Sequence, residues 1–162
     1  MGQFRNDVTH DFPLAAEELL DLLHDVRRLT DASSHFRSIE QDAQGTWHVE
    51  EWLTLAHCCV RFLVDLEQRD NGARIVCRAP MWVTVDTTWT VDALPPAPDG
   101  SPRCRGREDS TVTCPLVVRP FVKAQFKRTH SELPARIVRY LADERRQKED
   151  DEKPASPTAA PA

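Results

Sequence analysis

Glycine is scarce in this 162-residue chain, with five residues at Gly2, Gly45, Gly72, Gly100 and Gly106. They lie far apart, so the glycine-rich turns that cradle phosphates or dinucleotides have nothing to form from. A G-x-S-x-G nucleophile elbow and an H-E-x-x-H metal helix are missing too. Five cysteines (Cys58, Cys59, Cys77, Cys104, Cys114) make an odd set without a C-x-x-C pair, which fits reduced thiols better than a disulfide frame or a zinc site. No metal and no other cofactor is expected. Apolar runs last only a few residues, far short of the roughly 20 that cross a bilayer, and no membrane insertion is expected. Excess positive charge is also lacking: the net charge is -5, which argues against nucleic acid as a partner. Met1 to His10 shows no apolar signal region, making the cytoplasm the expected compartment.

What is present is a globular composition, 40% hydrophobic and 29% charged, on a length that suits one core. One domain is expected over residues 1–146. A charged and then Pro/Ala-rich tail over 147–162 is expected to be disordered.

The hydrophobic period divides the chain. Asp7 to Phe12 alternates as an opening strand, ended by Pro13. From Ala15 the period becomes helical, with Leu19, Leu20, Leu22, Leu23, Val26 and Leu29 on one stripe, and a break near Asp25 gives two short helices. The period then returns to two. Strands are expected over Phe36–Gln41, Thr46–Ala56, a run through Val60, Phe62, Val64 and Leu66, Ala73–Ala79, Trp82–Leu94 and Arg103–Cys114. Asn71-Gly72 is the strongest hairpin signal among them. After Pro115 the apolar residues Val118, Phe121, Leu133, Ile137 and Leu141 describe a long amphipathic helix, in which Pro134 should cause a kink or a division. Such an order is α+β, an antiparallel sheet with helices to one face.

This order resembles the START-like superfamily, the helix-grip fold of polyketide cyclase/dehydrase-like proteins. Asp7-Val8-Thr9-His10-Asp11-Phe12-Pro13-Leu14 followed by Glu17-Glu18-Leu19-Leu20 looks like the family's opening strand and first helix. Trp82-Val83-Thr84-Val85-Asp86-Thr87-Thr88-Trp89 looks like its sixth strand, and Phe121-Val122-Lys123-Ala124-Gln125 like its C-terminal helix. The resemblance covers about residues 7 to 145. It implies a curved antiparallel sheet of about seven strands wrapped around the long helix, with a ligand cavity between them. It supplies no catalytic motif that maps onto numbered positions.

Alternation assigns the inward face of each strand. Val49, Glu51, Leu53, Leu55, Val60, Phe62, Val64, Leu66, Ile75, Cys77, Val83, Val85, Thr87, Trp89, Val91, Cys104, Gly106, Glu108, Ser110 and Val112 should face in, while Arg103, Arg105 and Arg107 form an outer stripe that reads as a solvated edge. Glu51, Thr87, Glu108 and Ser110 are then polar groups on an apolar face, where buried carboxylates are costly unless paired or hydrated. Their presence suggests a wet or ligand-filled space. With Phe62, Trp89, Phe121 and Gln125 they form the expected ligand contacts, Trp89 and Phe121 as surfaces for a flat molecule. Ordinary core packing competes with this reading for each tryptophan, and a structural ion pair competes for each carboxylate. His57-Cys58-Cys59 is not expected to converge on a metal, since neighbours in a strand point to opposite faces.

The function expected is binding of a hydrophobic small molecule, polyketide-like, aromatic or lipid-like, by a monomer. The alternatives are a cyclase or dehydratase using Glu51 or Glu108, self-resistance by sequestering an enediyne-type antibiotic, and a non-catalytic interaction module.

Overall fold

The computed structural model describes residues 1–33, 36–53 and 57–152, with the backbone alone at Phe36. Strand β1 (Gly2–Phe12) is followed by helices α1 (Ala16–Leu23) and α2 (Val26–Ala32). Strands β2 (Phe36–Gln41), β3 (Trp47–Leu53), β4 (Cys58–Arg69), β5 (Gly72–Ala79), β6 (Val83–Leu94) and β7 (Arg103–Cys114) come next. Helix α3 (Arg119–Glu152) ends the described chain. The seven strands form one antiparallel sheet in the order β1-β7-β6-β5-β4-β3-β2. This is the helix-grip fold.

Local chemistry explains the boundaries. The break between α1 and α2 falls at Asp25, whose carboxylate accepts from the Arg27 and Arg28 amides at 2.9 and 3.1 Å, capping the second helix. Strand β1 starts at Gly2 rather than Asp7 because its ladder with β7 runs on to Gly2 opposite Cys114. Pairing overrides the poor strand preference of Gln3 and Asn6. Strand β3 ends its described part at Leu53, and the expected continuation to Ala56, including Leu55, lies outside the described residues.

The β4–β5 hairpin forms where Asn71-Gly72 points, for a different reason. Its turn residues are Asp70 and Asn71, and Gly72 already pairs with Arg69. A Cβ on Gly72 would sit 1.9 Å from the Trp89 carbonyl oxygen, while the Gly72 carbonyl lies 2.7 Å from His24 Nε2. Glycine serves close approach there, not a left-handed turn.

Three further expectations are corrected. Trp82 is not in β6; it and Met81 form a turn with φ of 58° and 60°. The arginine stripe of β7 is on an interior strand, not an edge, and Asp11 of β1 lies beside it, 2.7 Å from Arg105 and 3.7 Å from Arg103. Of the kink or division expected at Pro134, the division does not occur: helix α3 continues past it to Glu152. Proline removes one amide donor, and packing of Phe126 before it and of Ile137 and Leu141 after it holds both halves in place. The helix therefore extends past 146, and residues 153–162 lie outside the described residues.

A core forms where α1, α2 and the second half of α3 meet the sheet. Phe12, Leu14, Leu19, Leu22, Leu23 and Ile137 are almost completely buried there. Each such side chain is worth about 1.5–3 kcal/mol in transfer from water. Arg28 clamps α2 to α3 through Glu144, at 2.5 and 3.1 Å. Arg136 adds a bond to the Ser33 carbonyl at 2.6 Å. The first half of α3 is left to cover the remaining sheet.

Candidate functional site

Between that first half of α3 and the inner face of β3–β6 lies a cavity of about 310 Å³. Its sheet wall is mainly Val49, Val60, Val64, Ile75, Val83 and Val85, and the wall opposite includes Val118, just before α3, with Val122 and Leu133 on the helix. The strands alternate as expected, so the cavity wall is a direct product of the period-two pattern. Of the expected contacts, Glu51, Phe62, Thr87, Trp89, Phe121 and Gln125 line this space. Glu108 and Ser110 do not line it; they are 1% and 0% exposed and lie behind it in the β6–β7 pair.

The polar groups are connected. Thr87 Oγ1 and Ser110 Oγ are 2.8 Å apart, and Ser110 Oγ donates to Glu108 Oε1 at 2.8 Å. The same Oε1 lies 2.5 Å from Nδ1 of His130 on α3, in ion-pair contact but off the line of a well-aligned hydrogen bond. His130 lines the cavity and stacks on Phe126, with ring centroids 3.8 Å apart. Gln125 Oε1 is buried without a hydrogen-bond partner.

Glu51 reaches the cavity from β3 and is 9% exposed. Burial pushes its carboxyl up to about 7, and the charges of His130 and Arg136 draw it back only in part. The carboxyl is thus poised between neutral and charged forms near neutrality. Burial also raises the Cys77 thiol, to about 12, so this cavity-lining thiol is a poor nucleophile.

Sequence reasoning missed His130. The signal was present: Phe126, His130, Leu133 and Ile137 fall at spacings of four, three and four, so His130 interrupts the apolar stripe of the helix. The other tryptophans lie elsewhere. Arg27 lies over Trp47 and Arg37 over Trp52, at 5.9 and 5.4 Å, and Trp82 is 80% exposed. Cys58 and Cys59 are both exposed. Among the described residues no group of three or more His, Cys, Asp or Glu is placed to hold a metal ion. No helix among them is long and apolar enough to cross a membrane.

A family model described as "Domain of unknown function (DUF7053)" matches residues 13–143. The chain belongs to the DUF7053 family. No curated protein matches its sequence. Solved structures place the DUF7053 domain among START-like folds. A START superfamily protein from Mycobacterium smegmatis superposes with a TM-score of 0.64 at 14% identity, covering 85% of this chain and 95% of that one. The Zhui aromatase/cyclase from Streptomyces sp. R1128 gives 0.65 at 13% identity, covering 85% and 92%. A conserved protein from Geobacillus kaustophilus gives 0.62 at 11% identity, covering 86% and 96%. At these identities the likeness is one of fold.

Proposed function

We propose that the cavity encloses one hydrophobic small molecule, polyketide-like, aromatic or lipid-like, with its polar end among Glu51, Thr87, Gln125 and His130. The observation that carries this reading is a cavity walled by valine, leucine, isoleucine and aromatic side chains into which a few polar groups project. One of these, the Gln125 carbonyl, has no partner in the protein. Binding sites for small apolar molecules have this make-up, and a ligand hydroxyl or amide would satisfy that carbonyl. Likeness to a protein titled an aromatase/cyclase agrees with a flat or polycyclic occupant.

Binding of the fluorescent apolar probe 1-anilinonaphthalene-8-sulfonate, followed by its own emission, tests the reading. Wild-type protein should bind one probe per chain, and Val85→Trp, which projects an indole into the cavity, should abolish that binding without unfolding the protein. Equal probe binding by the two proteins would refute enclosure.

A second reading rests on the Glu108–His130 contact. His130 faces the cavity and Glu108 lies against its ring nitrogen from the sheet side; a small turn of the ring would align the pair as a carboxylate orienting a general acid or base. In a cyclisation or dehydration His130 would carry the proton. Glu108→Gln would then lower turnover of a bound polyketide while leaving its affinity in place. Parallel loss of both would reject this second role.

A further inference from the structure

Pro80, Met81, Val118 and Phe121 line one end of the cavity, and of these Met81 and Phe121 are also exposed to solvent, which puts the mouth of the cavity beside the Pro80–Trp82 turn and the start of α3. Met81 and Trp82 are 60% and 80% exposed, and across the mouth Leu116 and Val117 are 62% and 87% exposed. Met81 and Phe121 both line the cavity. Gly2 of β1 lies against Leu116 and Arg119, and pairing of Gly2 with Cys114 and of Thr84 with Thr113 brings the Met81–Trp82 turn and the Leu116–Val117 segment to the same end of the sheet. Large exposed apolar clusters of this kind mark interaction surfaces.

The backbone beneath the tips is costly to hold. Met81 and Trp82 occupy the left-handed region at φ of 60° and 58°, which hairpin turns usually assign to Asn and Gly. Strain that points two bulky apolar side chains into solvent is a feature of function rather than of folding.

Charge identifies what the patch meets. The stretches that build this end, residues 1–6, 78–84 and 111–123, hold Arg5, Arg78, Arg119 and Lys123 and no Asp or Glu, in a chain of net charge -5. Arg78 is paired with Asp65, while Arg5, Arg119 and Lys123 make no ion pair among the described residues. Lys127 and Arg128 continue the basic run along α3. Tryptophan, methionine and leucine tips ringed by arginine and lysine match the interface of a bilayer that carries anionic headgroups.

We propose that this rim docks the protein on an anionic lipid bilayer, with Met81, Trp82, Leu116 and Val117 entering the interface. This is surface docking by a turn and a helix start, distinct from a membrane span. The cavity mouth then faces the lipid, so that an apolar occupant passes between bilayer and cavity without crossing water.

Flotation with vesicles of phosphatidylcholine alone, and of phosphatidylcholine mixed with phosphatidylserine, tests the docking independently of any cavity ligand. The chain should float with the mixed vesicles, be released by high salt, and stay behind with phosphatidylcholine alone. Trp82→Ser and the pair Arg119→Glu/Lys123→Glu should each weaken flotation on the order of tenfold, with thermal unfolding showing that both variants fold. Absence of flotation, equal flotation with both vesicle types, or flotation that survives either variant would overturn the proposal.

Discussion

Glu51 offers the sharpest test of the site, because its placement makes stability depend on pH in a predictable direction. Its carboxyl rises from the usual 4.5 to about 7 on folding, chiefly through burial. Between those two values the folded protein retains a proton that the unfolded chain has released, so stability falls as pH rises through this window and is flat above it. The shift corresponds to about 3 kcal/mol, at about 1.4 kcal/mol for each tenfold in proton affinity. Glu51→Gln keeps the shape and removes the ionisation. The variant should match wild type at pH 4.5 and exceed it by about 1–3 kcal/mol at pH 8, raising Tm there by roughly 3–10 °C for a chain of this size. Thermal unfolding of both proteins by near-ultraviolet circular dichroism, from pH 4.5 to 8.5, measures the difference directly. Taking the difference cancels the titrating groups that do not interact with Glu51. A pH-independent difference, or a variant less stable than wild type at pH 8, would show that Glu51 is not a desolvated carboxyl in an apolar cavity.

Three further outcomes follow from the fold. Gly72→Ala places a methyl group 1.9 Å from the Trp89 carbonyl oxygen and should cost more than about 3 kcal/mol or prevent folding. Gly100→Ala, at φ +82° in open space, should cost only about 1 kcal/mol; chemical denaturation of the two variants reads the contrast. Pro134→Ala restores an amide donor inside a continuous helix and should raise the urea midpoint, by about 1–3 kcal/mol in stability. Arg74→Ala removes a forked contact to Asp86 at 2.8 and 3.0 Å, but on a half-exposed pair. It should therefore leave the urea midpoint almost unchanged by the same assay.

Much of this was legible because an antiparallel sheet with one buried face writes its register into a period of two. That period places Val83, Val85, Thr87 and Trp89 on one wall of the cavity, and the same logic buries Cys104, Glu108, Ser110 and Val112. Alternation fixes the face a residue takes, but not its depth. Glu108 and Ser110 share the inward face with Thr87, yet only a partner element shows that His130 stands between Glu108 and the cavity. The Met81–Trp82 turn escaped for another reason. Tryptophan and valine favour strands, and nothing local announces a left-handed tryptophan. The Gly72 case is the converse, a correct location reached through turn chemistry when the cause was the Trp89 backbone on the next strand, β6.

The chain Thr87–Ser110–Glu108–His130 has one property that separates a site from a stable core. Buried polar networks can be replaced by apolar side chains of similar volume with little loss of stability, and at times a gain. Folding alone therefore gives no reason to keep a carboxylate at 1% exposure between two strands. Each link instead fixes the next: Thr87 meets Ser110, Ser110 donates to Glu108, and Glu108 contacts a ring that opens on the cavity. Stacking on Phe126 then sets the plane of that ring. The network thus ends at a single imidazole held in place on the wall of an apolar cavity. On the reading proposed above, that imidazole is the group that would meet a ligand's polar end.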